Sequence, residues 1–134
     1  MALQFSVDAR NAMLDGLWTA TGASPKLYLR SGTVPANAAA ADAGTLLCTI
    51  DLPASPMAAA SGGVKAKSGT WSGTTATGGT VAHFRIKDST GTTVHHQGTV
   101  TLTAGGGDMI LDNTTLVATQ TVTVNTFQQT APGA

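Results

Sequence analysis

The stretch VAHFRIKDSTGTTVHHQGTVTLT, residues 81–103, decides the fold class, because period-two patterning and turn chemistry agree along its whole length. Ala82, Phe84 and Ile86 alternate with His83, Arg85 and Lys87. On the return, Val94, His96, Gly98, Val100 and Leu102 alternate with His95, Gln97, Thr99 and Thr101. A two-residue loop at Ser89-Thr90 would set Ile86 against Thr93 and oppose apolar to polar faces. A three-residue loop, Ser89-Thr90-Gly91, matches both faces and places glycine at the left-handed position that ends such a turn. The register that follows pairs Phe84 with His96, Ala82 with Gly98, Arg85 with His95 and Lys87 with Thr93. The Arg85 face then reads as a polar, mildly basic surface open to water or to a partner.

Composition points the same way. Across 134 residues there are 16 glycines, many threonines and few glutamates or lysines, which suits short strands joined by tight turns. Length and patterning predict one mainly β domain, an antiparallel β-sandwich or barrel with one N-terminal α-helix. Seven basic residues balance seven acidic ones at 10% charged overall, so no electrostatic footprint for nucleic acid exists. No apolar run reaches the roughly 18 residues of a membrane span, and the N-terminus lacks the basic start and apolar stretch of a secretory signal. Synthesis ending in the cytoplasm is the expectation. Few charged side chains would need desolvating on contact with other protein copies.

Ser6 to Thr19 reads as the one helix, with Ser6 as N-cap, Asp8 in the first turn, and Val7, Met13, Leu14, Leu17 and Trp18 as its apolar side against polar Asp8, Arg10, Asn11 and Asp15. Gly22 and Pro25 stop it. Lys26 to Arg30 and Thr45 to Leu52 read as strands, with Leu27 and Leu29 inward in the first and Cys48 in phase with Leu46 and Ile50 in the second. Between them Thr33 to Gly44 carries Asp42 as its only charge and reads as a surface loop in preference to a helical turn. Ser61 to Gly69 is a flexible basic loop or a short edge strand with Lys65 and Lys67 on one side, and Gly73 to Gly79 is a mobile loop. Gly105 to Gly107 forms a hinge or bulge before Met109-Ile110-Leu111. In the final strand, Thr121 to Phe127, Phe127 breaks the phase of Val122 and Val124, which predicts a bulge or a contact made outside the sheet. Residues 128–134 read as a flexible polar tail.

The inventory for chemistry is thin. His83, His95 and His96 form the one cluster that suggests a metal or acid/base site, but the derived register sends His95 and His96 to opposite faces, so packing or interface roles are expected. The single cysteine, Cys48, allows neither an internal disulfide nor a cysteine metal cluster and reads as a buried apolar residue. No GxSxG elbow accompanies the scattered aspartates, and Gly-Gly-Val-Lys-Ala-Lys-Ser lacks phosphate-loop spacing. Trp18, Trp71, Tyr28 and Phe84 are too scattered for a sugar- or base-stacking platform. The chain is therefore expected to be no enzyme, with no catalytic, cofactor-binding or metal residues and no cofactor.

The segments ALQFSVDARNAMLDGL, SGGVKAKSGTW, HFRIKDSTGTTVHHQGTVT and GGGDMILDN to QTVTV, spread over nearly the whole chain, together resemble a family of small tailed-bacteriophage virion proteins, the capsid cement or decoration proteins. The resemblance implies a non-enzymatic protein, its β domain a β-sandwich or jelly-roll-like fold, made in the host bacterial cytoplasm and placed on the outside of an HK97-type shell. It also implies the major capsid protein and further copies of the chain, as dimer or trimer, for partners, with no nucleic acid or membrane among them. A tail- or fibre-associated virion protein is the alternative within the particle, and a carbohydrate-binding module the alternative outside it.

Overall fold

The computed structural model describes residues 3–134, in which one helix and ten strands are found. Helix α1 (Val7–Thr21) is followed by β1 (Lys26–Arg30), β2 (Leu46–Asp51), β3 (Val64–Ala66), β4 (Ser72–Thr74) and β5 (Gly79–Thr80). The remaining strands are β6 (His83–Lys87), β7 (Val94–Thr101), β8 (Met109–Leu111), β9 (Thr115–Leu116) and β10 (Thr121–Thr130). The chain is thus mainly β with one N-terminal helix.

Eight strands form a sheet in the order β2-β1-β6-β7-β8-β10-β3, with β4 also on β10, while β5 and β9 pair separately. That sheet curls on itself. Cys48 of β2 bridges Thr75 just beyond β4, and Leu47 O accepts from Ala76 N and Thr77 N at 2.9 and 3.2 Å, so β2 at one end of the strand order meets the β4 branch carried by β10. The result is a half-barrel whose facing arcs enclose the core as the layers of a sandwich do. Leu27, Leu29, Ile50, Phe84, Ile86, Met109, Val122 and Val124 point into it. Trp71, fully buried despite its polar neighbours in sequence, packs on Phe127 at 5.7 Å, and Phe127 meets Phe84 edge-on at 5.4 Å. Aromatic pairs of this kind add about 0.5–1.5 kcal/mol each beyond the area that they bury.

The central hairpin forms with its faces as expected and its pairs displaced. Gly91 has φ +72° and its N–H bonds Asp88 O at 2.9 Å, the turn that the sequence predicts. The Asp88 carboxylate then draws in Thr92 N at 2.9 Å, so that Asp88 N bonds Thr93 O and Lys87 faces Val94, one residue further along. A bulge at His95 adds a second residue, and beyond it Ile86 faces His96, Phe84 faces Gly98 and His83 faces Thr99. Two insertions sum to one full side-chain period. The predicted pairs Phe84–His96, Ala82–Gly98, Arg85–His95 and Lys87–Thr93 are therefore wrong, whereas Phe84 and Ile86 still face inward. Ala82 lies outside the strand and is exposed.

Other expectations need correction. Helix α1 runs on to Thr21, capped by Ser6 Oγ accepting Ala9 N at 3.1 Å and by Gly22 N donating to Trp18 O at 3.0 Å. Its buried side is Arg10, Leu14, Trp18 and Thr21, while Val7 and Leu17 stand half exposed. Arg10 is buried because its guanidinium lies against Gly63, where a Cβ would come within 2.4 Å, and donates twice to Ala131 O. The expected tail from 128 onward continues β10 to Thr130, where Gln128, Gln129 and Thr130 pair with Ala66, Lys65 and Val64 of β3. Residues 73–79, expected as a loop, contribute to β4 and β5. The β7–β8 contact is parallel over Val100–Met109 and Thr101–Ile110, a departure from an all-antiparallel sheet. Asp108 holds that short return by accepting Thr99 N and Thr99 Oγ1 at 2.9 and 3.0 Å. Of the two alternatives for Phe127, the bulge is the one found: it lies between Val124 and Thr126 and turns Phe127 inward.

Candidate functional site

Two covers lie on the sheet, and the polar residues singled out by the sequence are divided between them. On the convex side the segment 31–45 crosses β1, β6 and β7. This segment has no regular structure, so its carbonyl groups must find donors elsewhere. The sheet supplies them. Arg85 Nη2 donates to Asn37 O at 3.1 Å, Arg30 Nε to Ala43 O at 2.9 Å and Gln97 Nε2 to Pro35 O at 2.8 Å; His83 Nδ1 lies 2.8 Å from Gly32 O and, as the N–H, donates to it. Asp42 is the anchor. Its carboxylate meets Arg85 Nη1 at 2.7 Å, Lys87 Nζ at 2.8 Å and Arg30 Nη1 at 3.9 Å. Hydrogen bonds from Lys87 and Arg85, opposed by partial burial, hold its carboxyl down at about 2.

The Arg85 face, expected to meet water, is therefore closed: Arg85 is 1% and His83 0% exposed. Arg85 Nε and Nη2 also reach Gln97 Oε1 at 3.1 and 2.9 Å, so that all three guanidinium nitrogens are engaged. Lys87 rests 5.1 Å from the centre of the Tyr28 ring. This constellation was missed in the sequence, although a lone Asp42 in an otherwise uncharged loop, opposite three strand cations, is the signal for it.

On the concave side α1 lies over the mouth of the half-barrel. Trp18 stacks on His96 with ring centres 4.5 Å apart and planes 18° from parallel. Around the pair, Trp18 Nε1 donates to Gln129 Oε1 at 2.7 Å, Gln129 Nε2 lies 3.0 Å from His96 Nδ1, and His96 Nε2 lies 2.8 Å from Thr21 Oγ1. Burial pushes the His96 imidazole down to about 4, with the neighbouring His95 adding to the shift. At the other flank Lys65 Nζ meets Asp15 Oδ1 at 2.7 Å and holds the Asp15 carboxyl below its usual range. An open groove of about 910 Å³ runs beside the helix, lined by Met13, Leu17, Ala20, His95, His96, Asp108 and Pro132 among others.

The three histidines are thus dispersed. His83 serves the convex cover, His96 the concave one, and His95, as the bulge residue, shares the groove with His96 instead of facing Arg85. Among the described residues no three of His, Cys, Asp and Glu come together as metal ligands would, and no helix is long and apolar enough to cross a membrane. Cys48 is fully buried, its thiol pushed up to about 11 by burial, with Sγ 3.4 Å from Thr74 O. What the arrangement does chemically is bind its own chain: cations and amides close on a loop, and a neutral hydrogen-bond chain closes on a helix. Leu3, Phe5, Val7 and Leu17 remain exposed on the helix and the segment before it, and Phe5 N is tied to Gly133 O at 2.8 Å. Compared with protein-family models, with curated proteins and with solved structures, the chain matches none.

Proposed function

We propose that the chain is a non-enzymatic structural protein of a tailed-bacteriophage particle, a cement protein that binds the outside of the capsid and bridges major capsid protein subunits. The observation that carries this reading is the distribution of apolar and charged groups. Arg85, Lys65 and Asp42, the groups that could do chemistry, are engaged in holding the chain's own covers, while four of the six large apolar side chains exposed among the described residues, Leu3, Phe5, Val7 and Leu17, stand in water on one arm and helix, with Leu102 and Val117 on loops elsewhere. Exposed apolar surface on a weakly charged protein suits contact with other protein surfaces. The resemblance of the four sequence segments supports the same reading, and on a lattice many modest contacts per particle sum to a strong one.

Copies bound at the seams between capsomers add buried area there and resist internal pressure. Such a protein is present on the order of hundreds of copies per particle, as icosahedral symmetry dictates. Quantitative mass spectrometry of purified particles tests this. A count near about a dozen, the multiplicity of tail and neck rings, assigns the chain to the tail instead. Light scattering of the isolated chain reads whether dimers or trimers form before the shell is met. Binding on a glycan array without binding to shells supports a carbohydrate-binding module and contradicts the proposal.

A further inference from the structure

The contact between α1 and the sheet has its protons fixed by one residue. An indole nitrogen can only donate, so the Gln129 atom 2.7 Å from Trp18 Nε1 is the oxygen, and the Gln129 amide nitrogen faces His96 Nδ1 at 3.0 Å. An amide NH2 also only donates. His96 Nδ1 is therefore bare and accepts, and the ring proton sits on Nε2, which donates to Thr21 Oγ1 at 2.8 Å. The Thr21 hydroxyl in turn donates to Leu17 O at 2.8 Å. Each link accepts from one side and donates to the other, with Trp18, Thr21 and His96 all buried.

A second proton on this imidazole has no place in the chain. It would set an Nδ1–H against the Gln129 NH2. Turning the amide over would bring that NH2 against Trp18 N–H, which moves the conflict without removing it. Turning the ring fails as well, because a doubly protonated imidazole presents a donor at both nitrogens. We infer that His96 is an acid-operated latch, its protonation releasing α1 from the concave side of the sheet while the half-barrel stays folded.

The surrounding charges do not supply a counter-ion that would hold the cation in place. From β7 comes His95, which supplies no negative charge. Arg10 of α1 is turned to Ala131 O, and Asp15 of α1 is paired with Lys65 of β3. Asp108, preceding β8, lines the same groove but is engaged by Thr99 N and Oγ1. The residues of β10 that face the site carry no charge. The Trp18 face does favour a cation stacked on it. That attraction is retained only if Gln129 gives up either the indole or the ring.

The sign of the effect follows from linkage. The released imidazole takes up a proton near its ordinary 6.5, the docked one only near 4. Between those values the open form binds a proton that the docked form does not. The opening equilibrium therefore rises roughly tenfold per pH unit as pH falls from 6.5 to 4, roughly 300-fold in all, and is flat outside that window.

Amide hydrogen exchange of the full chain between pH 7.5 and 4, corrected for intrinsic rates, reads this directly. Protection of the α1 amides from Leu14 to Thr21 should fall about tenfold per unit within the window, while β1 and β6 amides hold theirs. His96→Gln, whose amide offers one acceptor and one donor without titrating, should abolish the slope, and Asp15→Asn should keep it. Should His96→Gln not fold, nitrogen-15 imidazole spectra of the unaltered protein at pH 7 decide the tautomer. A proton on Nε2 with a bare Nδ1 supports the latch. A proton on Nδ1, a flat α1 profile, β1 and β6 opening in step with α1, or loss of the slope in Asp15→Asn overturns it.

Discussion

The two covers of the sheet solve one problem by opposite means. The helix on the concave side satisfies its own backbone and needs only an apolar side, Leu14 and Trp18, with one neutral hydrogen-bond chain through His96. The loop on the convex side leaves its carbonyls unsatisfied, so the sheet beneath it carries donors: Arg30, His83, Arg85 and Gln97. Asp42 then balances the cations that this arrangement buries. A sheet face covered by irregular backbone thus becomes rich in Arg and amide groups, and one covered by a helix need not. Their responses to acid differ accordingly. The helix contact weakens below pH 6.5, whereas the Asp42 cluster persists until its carboxyl is protonated near 2.

Substitutions can break this contrast at several points. The largest effect is expected for Phe84→Ala, since this ring is 2% exposed and packs edge-on against Phe127 in the core at 5.4 Å; about 3 to 5 kcal/mol should be lost, read as a thermal melt. Gly98→Ala acts on the concave side alone. Its Cβ would come within 2.7 Å of Asp108 Oδ2 and 2.9 Å of Phe84 Cε1, which should cost about 1 to 3 kcal/mol by denaturant titration. On the convex side Asp42→Asn leaves Arg85 to Gln97 and Asn37 O, and after allowance for the carboxylate's partial exposure to solvent a loss of about 1 to 2 kcal/mol is expected.

That Asp42 contribution has a definite pH window. A carboxyl held below its unfolded value of 3.8 stabilises the fold fully above that pH, and the contribution disappears as pH falls through about 2. Melts of the unaltered chain and Asp42→Asn should therefore converge at pH 2 and diverge by pH 5. The smallest effect is expected for His95→Ala. As a half-buried bulge residue beside the groove, it should shift the isolated chain by no more than about 0.5 kcal/mol. A large shift there would mean that the bulge itself holds the hairpin register.

Much of the fold was legible because local chemistry specified it. Ser6 and Gly22 bound the helix, Lys26 to Arg30 alternates, and Phe127 out of phase with Val124 marks the bulge. The hairpin faces were readable for the same reason. The pairs were not, because a side-chain carboxylate, that of Asp88, enlarges the loop, and a bulge at His95 carries no composition signal. The covers depend on contacts distant in sequence. Arg10 looks like a solvent-facing helix residue until Ala131 O and Gly63, far along the chain, give it a place. His83 and Arg85 look exposed until the loop 31–45 is folded over them.

The functional proposal is tested most directly by a cryo-electron density map of the particle that carries this chain. The account predicts density of the half-barrel's size repeated over the outer surface of the shell, seated across seams between capsomers, with the arm and helix bearing Leu3, Phe5, Val7 and Leu17 turned toward the major capsid protein. Density confined to the tail or neck, or a shell exterior bare of it, would contradict the account.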